Sequence, residues 1–140
     1  MANWLLDHAT SPAELRAMWA NVAACLRPGG RFLGIRATRA ALTSDRFHTG
    51  HYGVLIEHVH EPSEHGARYR VSLVSDPRVS FEATPQPDLY DMVDEVPRAL
   101  GFTGFASVPL AGLPVLDEDP AFWKEMLEEP VFAIVTATKA

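Results

Sequence analysis

Apolar residues at helical spacing mark the first regular element of the chain. Ser11 can cap a helix, Pro12 suits the first helical position, and Glu14 completes an S-x-x-E capping box. The apolar residues that follow recur every three or four positions and should form one buried face: Leu15, Met18, Trp19, Val22 and Leu26. The pattern predicts a helix that ends before residues 27–30, Arg-Pro-Gly-Gly, because proline cannot continue a helix and glycine tolerates a left-handed turn.

After this helix the patterns become those of strands. Residues 31–36 are largely apolar and predict a buried strand, so that helix, turn and strand form one unit of a parallel sheet. Residues 52–60, 67–75 and 79–84 are also strand-like, and turn residues separate them. These three segments predict an antiparallel meander inserted into the α/β unit, over residues 51–84.

The last part of the chain returns to alternating helices and strands. Residues 88–100 have helical periodicity, but Pro97 lies inside them and should kink the helix or end it early. Three further elements are predicted after it: a strand at residues 105–110, a helix at 119–128 and a strand at 131–138. We therefore predict an α/β fold in a single domain, residues 1–140.

Composition and charge narrow the range of functions. The chain has 140 residues, 47% of them hydrophobic, which is enough to bury a core. A net charge of -6 argues against nucleic acid or an anionic membrane as the main partner. The single cysteine, Cys25, excludes a disulfide within the chain, and its place on the predicted apolar face suggests a buried thiol. With no signal peptide or bilayer-length apolar run, we expect a cytoplasmic protein.

Four segments of the sequence resemble class I S-adenosylmethionine-dependent methyltransferases. Residues 26–32, Leu-Arg-Pro-Gly-Gly-Arg-Phe, resemble the region that leads into the fifth strand of that family. Residues 3–9 resemble the end of its fourth strand, residues 90–102 the helix ending in Gly-Phe before its sixth strand, and residues 131–139 its antiparallel seventh strand. The likeness covers nearly the whole chain and is strongest to ToxA-like small-molecule methyltransferases.

This resemblance implies a partial Rossmann-like methyltransferase sheet, strands 4/5 to 7, whose insert acts as a substrate lid. It implies methyl transfer from S-adenosylmethionine to a small molecule. The family's G-x-G-x-G loop and its acidic ribose-binding residue have no counterpart in this sequence. The chain thus resembles a C-terminal portion, and the exposed sheet border is expected to pair with a complementing N-terminal half or, in a homodimer, with a second copy. The alternative is a non-catalytic interaction or substrate-binding fragment.

The resemblance also implies roles for residues at two places. In the segment after the fourth strand, His8 is the candidate catalytic base, while Asn3, Trp4 and Leu5 would form a partial cofactor wall. The expected substrate contacts are Asp7 and, at the start of the insert, His51 and Tyr52. Simpler interpretations remain open: a solvated His8 or His51, strand-end packing of Asn3 and Trp4, and packing of Tyr52 on the sheet. Trp19 and Trp123 are predicted to be core anchors.

A weaker motif suggests a different class of protein. Gly53, His58, His60 and Glu64 approach the metal motif of cupins, and alternation would place the two histidines on one strand face. The spacing from the glycine is one residue short, and the second cupin histidine motif is absent. A cupin-like metal site at His58, His60 and Glu64 therefore stays an outside alternative to the methyltransferase.

Overall fold

A mixed four-stranded sheet forms the main layer of the protein. The structure, a computed structural model, describes residues 1–44, 47, 49–63 and 66–140, with the backbone alone for residues 58–63. The sheet has the order β1-β2-β7-β6 and consists of β1 (Ala2–Asn3), β2 (Arg31–Ala37), β6 (Phe102–Val108) and β7 (Phe132–Lys139). β1 is parallel to β2, whereas β7 is antiparallel to both its neighbours. The predicted α/β class and the antiparallel final strand are confirmed.

Helix α1 (Pro12–Cys25) covers one face of this sheet. The Ser11 hydroxyl accepts a hydrogen bond from the Glu14 backbone N–H at 3.2 Å, as the capping box predicts. The Glu14 carboxylate accepts from the Thr10 backbone N–H at 2.8 Å, one residue earlier than the motif requires. Trp19 is buried with its ring centroid 4.8 Å from that of Phe32, so the predicted apolar face and core anchor are confirmed.

The turn between α1 and β2 is joined to the last strand. Gly29 has a φ of 74°, and a Cβ on Gly30 would lie 2.7 Å from the Arg27 carbonyl oxygen, so both positions favour glycine. The Gly29 N–H donates to the Lys139 carbonyl at 2.8 Å. The Lys139 ammonium donates to the carbonyls of Ala23 and Leu26, at 2.6 and 2.9 Å. A cation from β7 therefore binds two carbonyls at the end of α1.

The insert forms a second sheet against the other face of the main sheet. Its strands β3 (Val54–Ser63), β4 (Gly66–Leu73) and β5 (Val79–Ala83) are antiparallel and consecutive, which confirms the predicted meander. Helices α2 (Ala40–Thr43) and α6 (Pro120–Glu128) pack on the same side. The buried residues thus form two clusters, one around α1 and one around the meander.

The predicted helix over residues 88–100 is two short helices, α3 (Pro87–Tyr90) and α4 (Glu95–Ala99). Between them Met92 adopts a φ of 58°. Pro97 falls in the first turn of α4, where its missing N–H breaks no helical hydrogen bond, whereas in one long helix it would break one. Just before α4, Asp94 pairs with the buried Arg36 of β2 at 3.0 Å. The prediction of one helix was therefore wrong.

Three smaller features also differ from expectation. β6 begins at Phe102, three residues before the predicted strand, and α5 (Pro114–Glu118) was not predicted. Cys25, the last residue of α1, is exposed rather than buried. No helix in the described part of the chain is long and apolar enough to cross a bilayer.

Candidate functional site

A cavity of about 430 Å³ lies between the main sheet and the meander. Its walls come from the segment after β1, all three strands of the meander, α5, α6 and β7, and most of the lining is aliphatic or aromatic. Six of the described lining side chains carry a nitrogen or oxygen atom: Trp4, Asp7, His8, Tyr52, Tyr69 and Trp123. An apolar pocket with a few polar groups is the usual form of a small-molecule site.

The segment after β1 forms one end of the cavity. Trp4 adopts a φ of 57°, a left-handed conformation that is strained for a bulky side chain. Its backbone N–H donates to the Ile35 carbonyl of β2 at 3.1 Å, and its ring lies edge-on to Phe132 at 5.9 Å. A short 3-10 turn, Leu6–His8, follows directly. This sharp change of direction carries Asp7 and His8 to the cavity.

Asp7 is the buried acid of the site, with 1% of its surface exposed. Its Oδ1 accepts from the Ala37 backbone N–H at 3.0 Å. Its Oδ2 is buried and has no hydrogen-bond partner among the described residues. Burial raises the pKa of Asp7 from 3.8 to about 6, although the Ala37 hydrogen bond and, more weakly, the charge of Arg36 oppose the rise. The cavity therefore borders a carboxylate that is mostly ionised at neutral pH and has an acceptor to offer.

Tyr69 of β4 supplies a second polar group. Its side chain is 2% exposed and lines the cavity. Burial, and secondly the negative charge of Asp7, raise the pKa of this phenol. Tyr69 consequently keeps its proton at neutral pH and can donate a hydrogen bond to a ligand. Sequence alternation indicated its buried face but not that this face borders a cavity.

His8, the predicted base, lies at the edge of the cavity and is exposed. Its ring centroid is 6.1 Å from that of Phe81 on β5, so the histidine lies beside the meander. An exposed imidazole at the rim can exchange protons with water and reach a ligand held below it. The catalytic role of His8 stays a prediction.

The predicted substrate contact Tyr52 lines the cavity through its ring. The ring stacks between Phe47, at 5.3 Å, and Trp123, at 5.6 Å. Its hydroxyl donates to the Phe122 carbonyl at 3.0 Å and accepts from the Met126 backbone N–H at 3.3 Å, and both partners belong to α6. Tyr52 thus fixes α6 to the insert, and its hydroxyl is already bonded to backbone groups of α6.

Other predicted site residues lie away from the cavity lining. Asn3 and Leu5 are exposed and do not line it, and the exposed His51 packs against Phe122 at 4.5 Å. The predicted metal residues cannot be placed, because the side chains of His58 and His60 and the whole of Glu64 lie outside the described residues. Elsewhere in the described chain, no three acidic, histidine or cysteine side chains come together as a metal site.

Two comparisons by sequence give no match, whereas comparison of structures does. No family model and no curated protein matches the sequence. A protein from Listeria monocytogenes, assigned as an S-adenosylmethionine-dependent methyltransferase, superposes with a TM-score of 0.55 and 16% identity over 99% of this chain and 59% of its own. This chain has a methyltransferase fold. The CcbJ methyltransferase from Streptomyces caelestis matches with a TM-score of 0.47 and 11% identity, over 97% of this chain and 57% of its own.

The comparison also gives the share of the matched structures' length that this chain spans. This chain spans less than three fifths of the length of either of these two structures. Within the methyltransferase fold, the cavity lies where β1 ends and the meander covers the main sheet. Trp4, Asp7, His8 and Tyr52 come together there. The aromatic lining residues Phe47, Phe81 and Trp123 were missed, because no sequence signal says which side chains of separate elements will face each other.

Proposed function

We propose that this chain is the substrate-facing part of an S-adenosylmethionine-dependent methyltransferase that acts on a small molecule. The observation that carries the proposal is the cavity at the end of β1, bordered by Asp7 and His8 and covered by the meander. Two solved structures with methyltransferase names support the reaction class through their fold. The apolar lining supports a small organic substrate rather than a polymer.

The residues of this cavity do not fit the whole cofactor. S-adenosylmethionine carries ribose hydroxyls and a charged amino-acid group, and these need donors, acceptors and a glycine-rich approach. The described lining offers one carboxylate, one imidazole, two phenols and two indoles, and the sequence has no G-x-G-x-G loop. We propose that a further polypeptide segment, an N-terminal half that carries the glycine-rich loop, supplies the cofactor site.

The chain's own residues account for substrate binding and proton transfer. The apolar walls exclude water and hold the substrate in a fixed orientation, which is the main requirement of a transfer reaction. His8 is proposed to take the proton from the substrate's nucleophilic group, because it is the exposed imidazole at the rim. Tyr69 is proposed to donate a hydrogen bond from the floor of the cavity.

The test is methyl transfer by a longer protein. The DNA directly upstream of the Met1 codon is read for an in-frame glycine-rich loop, and the extended protein is assayed with labelled S-adenosylmethionine and a panel of aromatic small molecules. We expect transfer, with a loss of about 100-fold in kcat/KM on His8→Ala. The matched control is His51→Ala, which changes a histidine outside the cavity lining and should leave transfer unchanged. An extended protein that carries the loop but transfers no methyl group would contradict the proposal.

One observation favours a second function, that of a non-catalytic binding subunit. Side chains of this chain alone line the cavity, so it can bind a small molecule without any cofactor. Calorimetry of the extended protein with S-adenosylhomocysteine separates the two functions. Micromolar binding would argue against a silent subunit, whereas an upstream sequence without a glycine-rich loop would favour it.

A further inference from the structure

Asp7 has an unexplained acceptor atom. Asp7 lines the cavity, and its buried Oδ2 has no partner among the described residues, although an unpaired buried carboxylate oxygen is costly. We propose that Asp7 recognises a protonated amine, so that the cavity takes a small aromatic molecule with a cationic amino group that donates to Oδ2. This inference names the substrate class and rests on the proposed function.

Asp7 is held in place at two points, its carboxylate and its backbone carbonyl. The Ala37 N–H at the end of β2 fixes Oδ1, and the Asp7 carbonyl accepts from the Thr84 N–H, just after β5, at 2.8 Å. Both the main sheet and the meander therefore position this residue. A carboxylate fixed at one oxygen presents the other in a defined direction, as a recognition group requires.

The described lining of the cavity supplies no permanent cation to pair with Asp7. None of the described residues that line the cavity is lysine or arginine. Arg36 acts on Asp7 through its charge, but its guanidinium is bonded to Asp94 at 3.0 Å. The other titratable groups that line the cavity are Tyr69, which stays neutral, Tyr52, whose hydroxyl is bonded to α6, and His8 at the rim. The compensating cation is therefore expected to come with the ligand.

The aromatic wall favours the same kind of ligand. The rings of Phe47, Tyr52 and Trp123 stack in series along one side of the cavity, with Trp4 and Phe81 elsewhere in the lining. Aromatic faces attract a flat ring by stacking and a cation through the ring quadrupole. A neutral ligand would match these walls but would leave the Asp7 charge uncompensated.

The test compares two ligands that share one ring system. Tryptamine and tryptophol both carry an indole on a two-carbon chain, which ends in an ammonium group in the first and a hydroxyl in the second. Calorimetry on the full chain at about pH 7.5 should show about tenfold tighter binding of tryptamine. Asp7→Asn should abolish this preference and leave tryptophol binding unchanged. Glu57→Gln, which removes an exposed carboxylate from β3, is the matched control and should preserve the preference.

A second measurement uses the unmodified chain, so that the test does not depend on the folding of Asp7→Asn. In the unmodified chain, the preference for tryptamine should fall as the pH is lowered from about 7.5 to 5, because Asp7 gains a proton while the ammonium keeps its charge. The same fall should persist in His8→Ala, which removes the imidazole that also lines the cavity. Equal affinities, no binding of either ligand, or a preference that survives Asp7→Asn would each overturn the inference. Methyl transfer by the extended protein is measured separately, so the proposed function and the amine recognition by Asp7 can each fail independently of the other.

Discussion

At the scale of single residues, Asp7 combines a cost to folding with a use in binding. Its carboxylate lies in surroundings that penalise charge, yet only one of its oxygens has a hydrogen-bond partner in the described structure. Groups of this kind concentrate at functional sites, where the chain gives up stability for chemistry. Trp4, three residues earlier, has a strained φ of 57° at the same end of the cavity.

The raised pKa of Asp7 gives a pH dependence of stability with a definite sign. The folded state holds the proton up to a pKa of about 6, whereas the unfolded chain releases it near 3.8. The free energy of unfolding should therefore fall as pH rises through this window, by about 3 kcal/mol in all for this group. Urea unfolding between about pH 4 and pH 7 should show the fall in the unmodified chain and a smaller one in Asp7→Asn. Parallel curves for the two proteins would contradict this assignment.

The Tyr52 hydroxyl is expected to act on stability rather than on binding. Tyr52→Phe removes the group that bonds the Phe122 carbonyl and the Met126 N–H of α6, at 3.0 and 3.3 Å. We expect a loss of about 1–2 kcal/mol in the free energy of unfolding, because two backbone groups lose their partner. The ring stays, so the dissociation constant of tryptophol should not change. A large loss of binding at unchanged stability would show that the hydroxyl serves the ligand instead.

At the scale of elements, the ends of α1 show which predictions from sequence succeed. Its start was predictable because Ser11, Pro12 and Glu14 act within four residues of each other. Its end was predictable from residues 27–30 for the same reason. The contact that secures this end comes from Lys139, more than a hundred positions away, and no local pattern indicates it.

The cation at the end of α1 can be tested by substitution. Lys139→Met keeps the aliphatic stem and removes the donor to the Ala23 and Leu26 carbonyls, so we expect a loss of about 1 kcal/mol in the free energy of unfolding. Lys124→Met is the matched control, because Lys124 forms only an exposed pair with Glu128 on α6. Chemical denaturation should separate the two variants. Equal losses in the free energy of unfolding would mean that the Lys139 hydrogen bonds at the end of α1 do not stabilise the fold.

The failed prediction of one helix over residues 88–100 has a long-range cause. Helical periodicity in this stretch is genuine, but Asp94 leaves the helical path to pair with Arg36, which lies 58 positions earlier. The candidate site likewise depends on contacts between residues that are distant in sequence. Trp4, Asp7 and His8 were predicted because one short segment, residues 3–9, carries the family resemblance, whereas Tyr69 and Trp123 reach the cavity only through the packing of separate elements.

At the scale of the whole molecule, the main sheet separates two apolar clusters with different tasks. The cluster around Trp19 is packed by α1 and contains no residue of the cavity lining. The cluster around the meander surrounds the cavity and is open to a ligand. Substitutions in the cluster around Trp19 are therefore expected to change stability without changing binding.

This division predicts how a ligand shifts thermal unfolding. Tryptamine at about 100 times its dissociation constant should stabilise the fold by about 2.7 kcal/mol, or about 10 °C in Tm for a chain of this size. Val22→Ala, on the face of α1 that packs in the first cluster, should lower Tm but leave the ligand-induced shift unchanged, because distant effects add. Differential scanning fluorimetry measures both. A shift that vanishes in Val22→Ala would show that the two clusters are coupled.

The main sheet of this protein can assemble during synthesis only after β7 has been made. β7 leaves the ribosome after the other strands of both sheets, yet it pairs with β2 on one side and β6 on the other. Until it arrives, β2 and β6 have no bridge between them, and the nascent polypeptide exposes two unsatisfied edges to chaperones and to other chains. Loss of only the residues from Phe132 onward would therefore divide the main sheet rather than merely shorten it.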